Sequence, residues 1–278
     1  MRTSTLSNAL LLAGGAVAGC LGKPSACQSV DASIVAHTGE PLGKEVTHNN
    51  ITLYIAEPDA KDPRTKARAG SAILFLTDVF GLALAENKLL ADSFARAGYL
   101  TLVPDLFQGS PAPGDINVPG FNTTEFLAKH EPAVTDPIIA AAAAYLRTEL
   151  KATRLAATGY CFGGRYSFRQ LADGEGAVDV AYAAHPSLLS EEEIAAAVAG
   201  PVAVAAADQD TLFNAEARAA AEKALLGTGK PYQVNLYSGT QHGFGVRVDL
   251  ADAQQKYAKE EAFLQAVRWF DRFLVTAA

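Results

Sequence analysis

The sequence predicts one α/β domain, a mostly parallel sheet with helices on both faces. Three observations carry this. From residue 70 onward, short apolar runs alternate with amphipathic stretches, the pattern of strand–helix–strand crossovers. Runs such as Ala72-Ile73-Leu74-Phe75-Leu76 are apolar throughout, as strands buried on both faces are. The chain of 278 residues has no internal repeat and no dividing linker, which suits one large domain with a sizeable core.

Each element follows in order. Ile51 to Ala56 reads as the first strand, and Ala72 to Leu76 as the next. Leu89, Leu90, Phe94 and Ala97 then share one face of a helix that Gly98 stops. Leu100 to Val103 is a strand closed by Pro104-Asp105. Pro111 to Gly120, rich in proline and glycine, reads as a surface loop. Pro137 to Lys151 is expected to be helical, with Pro137 in its first turn. Arg154 to Thr158 leads as a strand into Gly159-Tyr160-Cys161-Phe162-Gly163-Gly164, and Arg165 to Ala172 as a helix out of it. Val178 to Ala184, Val202 to Ala207 and Tyr232 to Tyr237 are further strands. Ala253 to Val275 closes the chain as an amphipathic helix presenting Tyr257, Leu264, Val267, Phe270 and Leu274.

Composition narrows the function. The formal net charge is −7, from 23 Lys and Arg against 30 Asp and Glu, so no basic excess is available to neutralise nucleic-acid phosphates. Hydrophobic residues at 49% exclude an intrinsically disordered chain. Three cysteines exclude a disulfide-dense scaffold and an all-cysteine zinc site. Arg2, the apolar run Ala9 to Ala18 and the small residues Ala16-Val17-Ala18 predict a signal peptide over residues 1–18 and hence secretion. A lipoprotein signal with Cys20 lipidated, or a frayed tail of a cytoplasmic protein, are the alternatives. No run is long enough to span a membrane. Cys20 and Cys27 are candidates for a small disulfide loop, and Asn50 and Asn122 open glycosylation sequons. Residues 19–50 read as a loosely structured extension, and 51–278 as the folded domain.

The chemistry converges on Gly159 to Gly164. This is a G-x-nucleophile-x-G pattern with cysteine in the central place, between a strand and a helix. Such a turn holds the nucleophile at the exposed end of the sheet, and its small residues let strand and helix approach. The helix N-terminus behind it favours a thiolate and an oxyanion alike. A base and an orienting acid then follow in the order nucleophile, acid, histidine. Asp208 and Asp210 lie at the end of the strand Val202 to Ala207, where the acid belongs. His242, in Gly239-Thr240-Gln241-His242-Gly243-Phe244, is the histidine in the right order. His37, His48 and His130 lie too early; His185 precedes the acid but is placed to line a pocket.

Thr77-Asp78-Val79-Phe80-Gly81, Pro104-Asp105-Leu106-Phe107, the cysteine turn and Gln241-His242-Gly243-Phe244 together resemble the dienelactone hydrolases, especially fungal ones, over roughly residues 30–275. The resemblance implies a single-domain α/β-hydrolase fold and a cofactor-free, metal-free cleavage of a small-molecule lactone or ester. Carried over by motif, the triad is Cys161, Asp210 and His242. Asp210 is preferred to Asp208 by its place in the acid turn, although the turn's glycine is absent. The Val79 and Phe162 amides would form the oxyanion hole. Asp78 takes the place of a glutamate that modulates the resting thiol in bacterial relatives. Arg247 and Arg165 are candidates to bind a substrate carboxylate, with a surface ion pair as the alternative for each. A general carboxylesterase or thioesterase, and a non-catalytic ligand-binding relative, are the rival readings. The oligomeric expectation is a monomer or homodimer.

Overall fold

The computed structural model describes residues 31–172, 178–197 and 199–275. The expected signal peptide, Cys20 and Cys27 lie outside the described residues. Eight strands form one sheet: β1 (Lys44–His48), β2 (Ile51–Ala56), β3 (Ser71–Leu76), β4 (Leu100–Pro104), β5 (Arg154–Tyr160), β6 (Val180–Ala184), β7 (Val202–Ala207) and β8 (Tyr232–Tyr237). Their spatial order is β1-β2-β4-β3-β5-β6-β7-β8. β1 and β2 run antiparallel, and every pairing from β4–β3 to β7–β8 is parallel.

The helices are α1 (Pro63–Ala67), α2 (Ala85–Arg96), α3 (Thr123–Lys129), α4 (Pro132–Thr148), α5 (Phe162–Arg169), α6 (Glu191–Ala196), α7 (Ala215–Thr228) and α8 (Ala253–Phe273). The sheet separates two cores, and the period of two along β3 shows why its run is continuously apolar. Ala72, Leu74 and Leu76 enter one core with Ile139, Leu146 and Phe168. Ile73 and Phe75 enter the other with Leu90, Phe94, Phe263 and Phe270. Thus α4 and α5 cover one face, and α2 and α8 cover the other. Buried Arg68 grips Asp271 of α8 with two hydrogen bonds of 2.8 and 2.7 Å, and the Tyr99 hydroxyl donates to the same carboxylate.

Four details differ from the sequence reading. The stretch before residue 51 is not uniformly loose. Lys44–His48 joins the sheet through a two-residue hairpin turn at Asn49 and Asn50, both at positive φ (49° and 62°), which asparagine tolerates. Helix α4 begins five residues earlier than expected because Pro132, not Pro137, occupies its first turn; Pro137 sits inside the helix. The loop before it contains an unanticipated helix, α3, capped by the Asn122 side chain accepting from the Glu125 amide. On α8, Tyr257 faces solvent while Val267, Phe270 and the following Leu274 are buried.

Candidate active site

The fold brings three loops to one end of the sheet, at the carboxyl ends of β5, β7 and β8, where open α/β sheets place ligands. Cys161 sits between β5 and α5 at φ 52°, ψ −112°, a backbone conformation that costs a non-glycine residue strain. Its neighbours make that turn possible. A Cβ on Gly159 would run into the Gly163 carbonyl, and one on Gly163 into the Leu76 carbonyl. Gly163 instead donates its amide to Thr77 O at 3.0 Å, which binds the turn to the end of β3. Glycine is required here by close approach, not by φ.

Asp210 follows β7 and is almost fully buried. Its Oδ1 accepts from the Leu212 and Phe213 amides at 2.8 and 3.0 Å. The His242 ring nitrogen Nδ1 lies 2.9 Å from Oδ2 and 3.1 Å from Oδ1. Burial, which opposes the carboxylate, is outweighed by these bonds, and the Asp210 pKa falls below the ordinary value. Asp208 has another job. It is exposed, and its carboxylate accepts from the Thr240 amide at 3.1 Å, bracing the histidine loop from outside.

His242 follows β8. Burial works against its charge, but the bond to Asp210 and the influence of nearby Cys161 prevail and raise its pKa to about 10. Its other ring nitrogen, Nε2, is buried and has no hydrogen-bond partner among the described residues. The Cys161 sulfur lies 3.6 Å from the Ser187 hydroxyl. Ser187 was not anticipated; its place just beyond the carboxyl end of β6 is the signal that would have found it.

Cys161 and His242 share the wall of a cavity of about 650 Å³ with Asp78, Val79, Ser187 and Arg247. Phe162 opens α5, so its amide is one that a helix cannot satisfy internally. The buried Asp78 accepts at Oδ1 from the Phe80 amide (3.1 Å) and Asn87 Nδ2 (2.9 Å), while Oδ2 has no partner among the described residues. Burial raises its pKa, against the Asn87 hydrogen bond and the charges of Arg247 and His242. Arg247 stacks its guanidinium over the Phe80 ring at 4.1 Å and makes no salt bridge among the described residues.

Two expected substrate contacts are placed elsewhere. Arg165 donates from Nε to both oxygens of Glu193 at 2.8 and 2.9 Å and does not line the cavity. It takes the ion-pair alternative because α6 carries Glu193 up to the side of α5. His185 is fully buried behind the site, edge-on to the His242 ring, with both ring nitrogens unpartnered among the described residues. The side chain turns into the second core, toward Tyr160 and Phe244, not into the cavity.

A mostly parallel sheet with a strained turn at the end of a central strand, covered by helices on both faces, is the architecture of the α/β hydrolases. Within that class the chain belongs to the dienelactone hydrolase family, whose family model matches residues 51–274. These are hydrolases acting on ester bonds. Hydrolase pyvD of Aspergillus violaceofuscus is 41% identical, covering 86% of this chain and 93% of its own. Hydrolase tropI of Talaromyces stipitatus is 38% identical over 86% and 93% of the two chains. Among solved structures, dienelactone hydrolase from Anabaena variabilis is similar in fold, with a TM-score of 0.58 and 13% identity, covering 84% of this chain and 97% of its own. No helix among the described residues is long and apolar enough to cross a membrane.

Proposed function

We propose that the protein hydrolyses a small-molecule lactone or activated ester by nucleophilic acyl transfer through Cys161, His242 and Asp210. One observation carries this reading: His242 is anchored through Nδ1 to buried Asp210, while its Nε2 has no hydrogen-bond partner among the described residues and the ring shares a cavity wall with Cys161. Asp210 fixes the ring's orientation and favours its protonated form. The Cys161 sulfur, as thiolate, attacks the carbonyl carbon, and the carbonyl electron pair moves onto oxygen. The Val79 and Phe162 amides stabilise that oxyanion. Collapse expels the alkoxide, which takes a proton from His242, leaving a thioester on Cys161. His242 then removes a proton from water, whose attack releases the acid and regenerates the thiolate.

Arg247, stacked but without an ion pair among the described residues, is suited to hold a substrate carboxylate at the cavity edge. Asp78 modulates the thiol through the shared electrostatic field rather than by contact, since its hydrogen bonds run to Phe80 and Asn87. Turnover of a dienelactone, p-nitrophenyl acetate and a longer acyl ester by wild type and Cys161→Ala tests the proposal. Wild-type hydrolysis with loss in Cys161→Ala supports it, and equal rates overturn it. The same reading includes secretion after removal of residues 1–18, checked by intact mass of the natively produced protein. Retention of those residues overturns the secretory part.

A further inference from the structure

The cavity is far more apolar than cleavage of a small lactone requires. Its volume, about 650 Å³, lies in the range that encloses a drug-sized molecule. The loop before α3 and α3 itself supply Phe121, Phe126 and Leu127, backed by an aromatic series in which Phe126 lies 5.4 Å from Phe107 and 5.6 Å from Phe121. Three further aliphatic side chains reach the same cavity from three separate loops: Ile116, Leu188 and Leu212. They are 41%, 49% and 59% exposed, although each adjoins the concave site. Scattered exposed leucines need no explanation, but three converging on one cavity mouth form an apolar rim.

Charge is unevenly placed around this rim. Arg247 is the cation of the cavity wall without a salt bridge among the described residues, and the acids there are Asp78 and Asp115. Burial disfavours the charged form of Asp78, and Asp115 is turned to its own loop, accepting from the Asn117 amide at 2.9 Å. A ligand's anionic group therefore finds its favourable partner at Arg247, and its apolar part finds the aromatic and aliphatic wall.

We propose that this cavity contains a subsite for a bulky apolar arm, aromatic or alkyl, on an anionic ester or lactone substrate. Phe121, Phe126 and Leu127 form its wall, and Ile116, Leu188 and Leu212 its rim. This assignment rests on the reading of Cys161 as the nucleophile beside it, but binding alone can test it.

The experiment measures equilibrium binding of benzoate and of 4-methyl- to 4-butylbenzoate to the Cys161→Ala protein. Each added methylene is expected to tighten binding, approaching about fourfold where it is fully buried. The double substitution Ile116→Asn with Leu188→Asn, both at exposed positions, is expected to flatten that gradient while leaving benzoate itself within about twofold. Arg247→Gln is expected to weaken the whole series by one factor and keep its slope. A flat series in the parent protein, or an unaltered slope in the double variant, overturns the subsite. Hydrolysis of p-nitrophenyl acetate by wild type reads the triad separately. Its absence beside an intact gradient overturns the mechanism and not the subsite.

Discussion

The ring of His185 stands against the ring of His242, with centroids 5.1 Å apart and planes at 70°. Burial, followed by the neighbouring His242 charge, drives the His185 pKa well below the ordinary histidine value, so this ring stays neutral. It acts as packing behind the candidate base, despite having two polar atoms without partners among the described residues. His185→Phe is therefore expected to hold its thermal midpoint or raise it. Removing unsatisfied polar atoms offsets the cost of placing phenylalanine at a φ of 38°. Calorimetry checks this. A fall of more than about 5 °C would show that the ring nitrogens have partners, such as buried water.

The two aspartates after β7 differ in what they hold. Asp210 binds the imidazole, and Asp208 binds the Thr240 amide. Asp210→Asn is expected to lower kcat by about 10⁴-fold, the scale seen for the orienting acid of serine proteases. Asp208→Asn should cost less than about tenfold, through a looser histidine loop. Steady-state kinetics of both variants decide, and the reverse ranking would move the acid's role to Asp208.

The raised pKa of His242 carries a sign for stability. Its folded value of about 10 exceeds the ordinary 6.5, so the folded state favours the protonated ring. This contribution is complete below 6.5 and disappears as pH rises through about 10. Denaturation between pH 6 and 10.5 should therefore show a progressive loss of stability, smaller in Asp210→Asn. Proton NMR of the ring should place its titration near 10 in the wild type, and lower in the variant.

Asp78 carries the opposite burden. Its pKa is raised above 3.8 by burial, so its carboxylate destabilises the folded state at neutral pH, an effect that vanishes below 3.8. Asp78→Asn is expected to raise the thermal midpoint at pH 7, with the gain shrinking on acidification. It should also speed alkylation of Cys161 by iodoacetamide, because one negative charge leaves the thiol's surroundings. An unchanged labelling rate would remove Asp78 from any influence on the sulfur.

The strands were largely legible in the sequence because both-face burial forces continuous apolar runs. Val202–Ala207, buried throughout, coincides with β7; Ile51–Ala56 and Tyr232–Tyr237 also coincide with β2 and β8, although only part of the first and no residue of the second is buried. The triad candidates were legible for a related reason: the order of loops along the chain is also their order across this half of the sheet. What could not be read depends on packing between distant segments. Arg165 lies near the nucleophile in sequence, but Glu193, on another helix, claims it. His185 follows a strand that ends beside the site, yet its positive φ of 38° accompanies a side chain packed toward the second core. The cavity's aromatic wall was hidden because α3 is only seven residues long, too short to leave a periodic signal.

With His242 as the proposed base, the position of β8 is expected to make activity more fragile than the fold. β8 is the outermost strand of its side, hydrogen-bonded only to β7, and its pattern is largely exposed. His242 hangs from the far end of that strand, whereas Cys161 and its glycine turn belong to the sheet's centre. Marginal strands open first as a protein is loosened. In a urea titration, hydrolysis should therefore fail before far-UV circular dichroism changes, and the inactive species should retain a folded Cys161 turn. On refolding, catalytic competence should return last, when β8 docks. Coincident activity and dichroism curves would instead mean that the edge strand melts only with the whole domain.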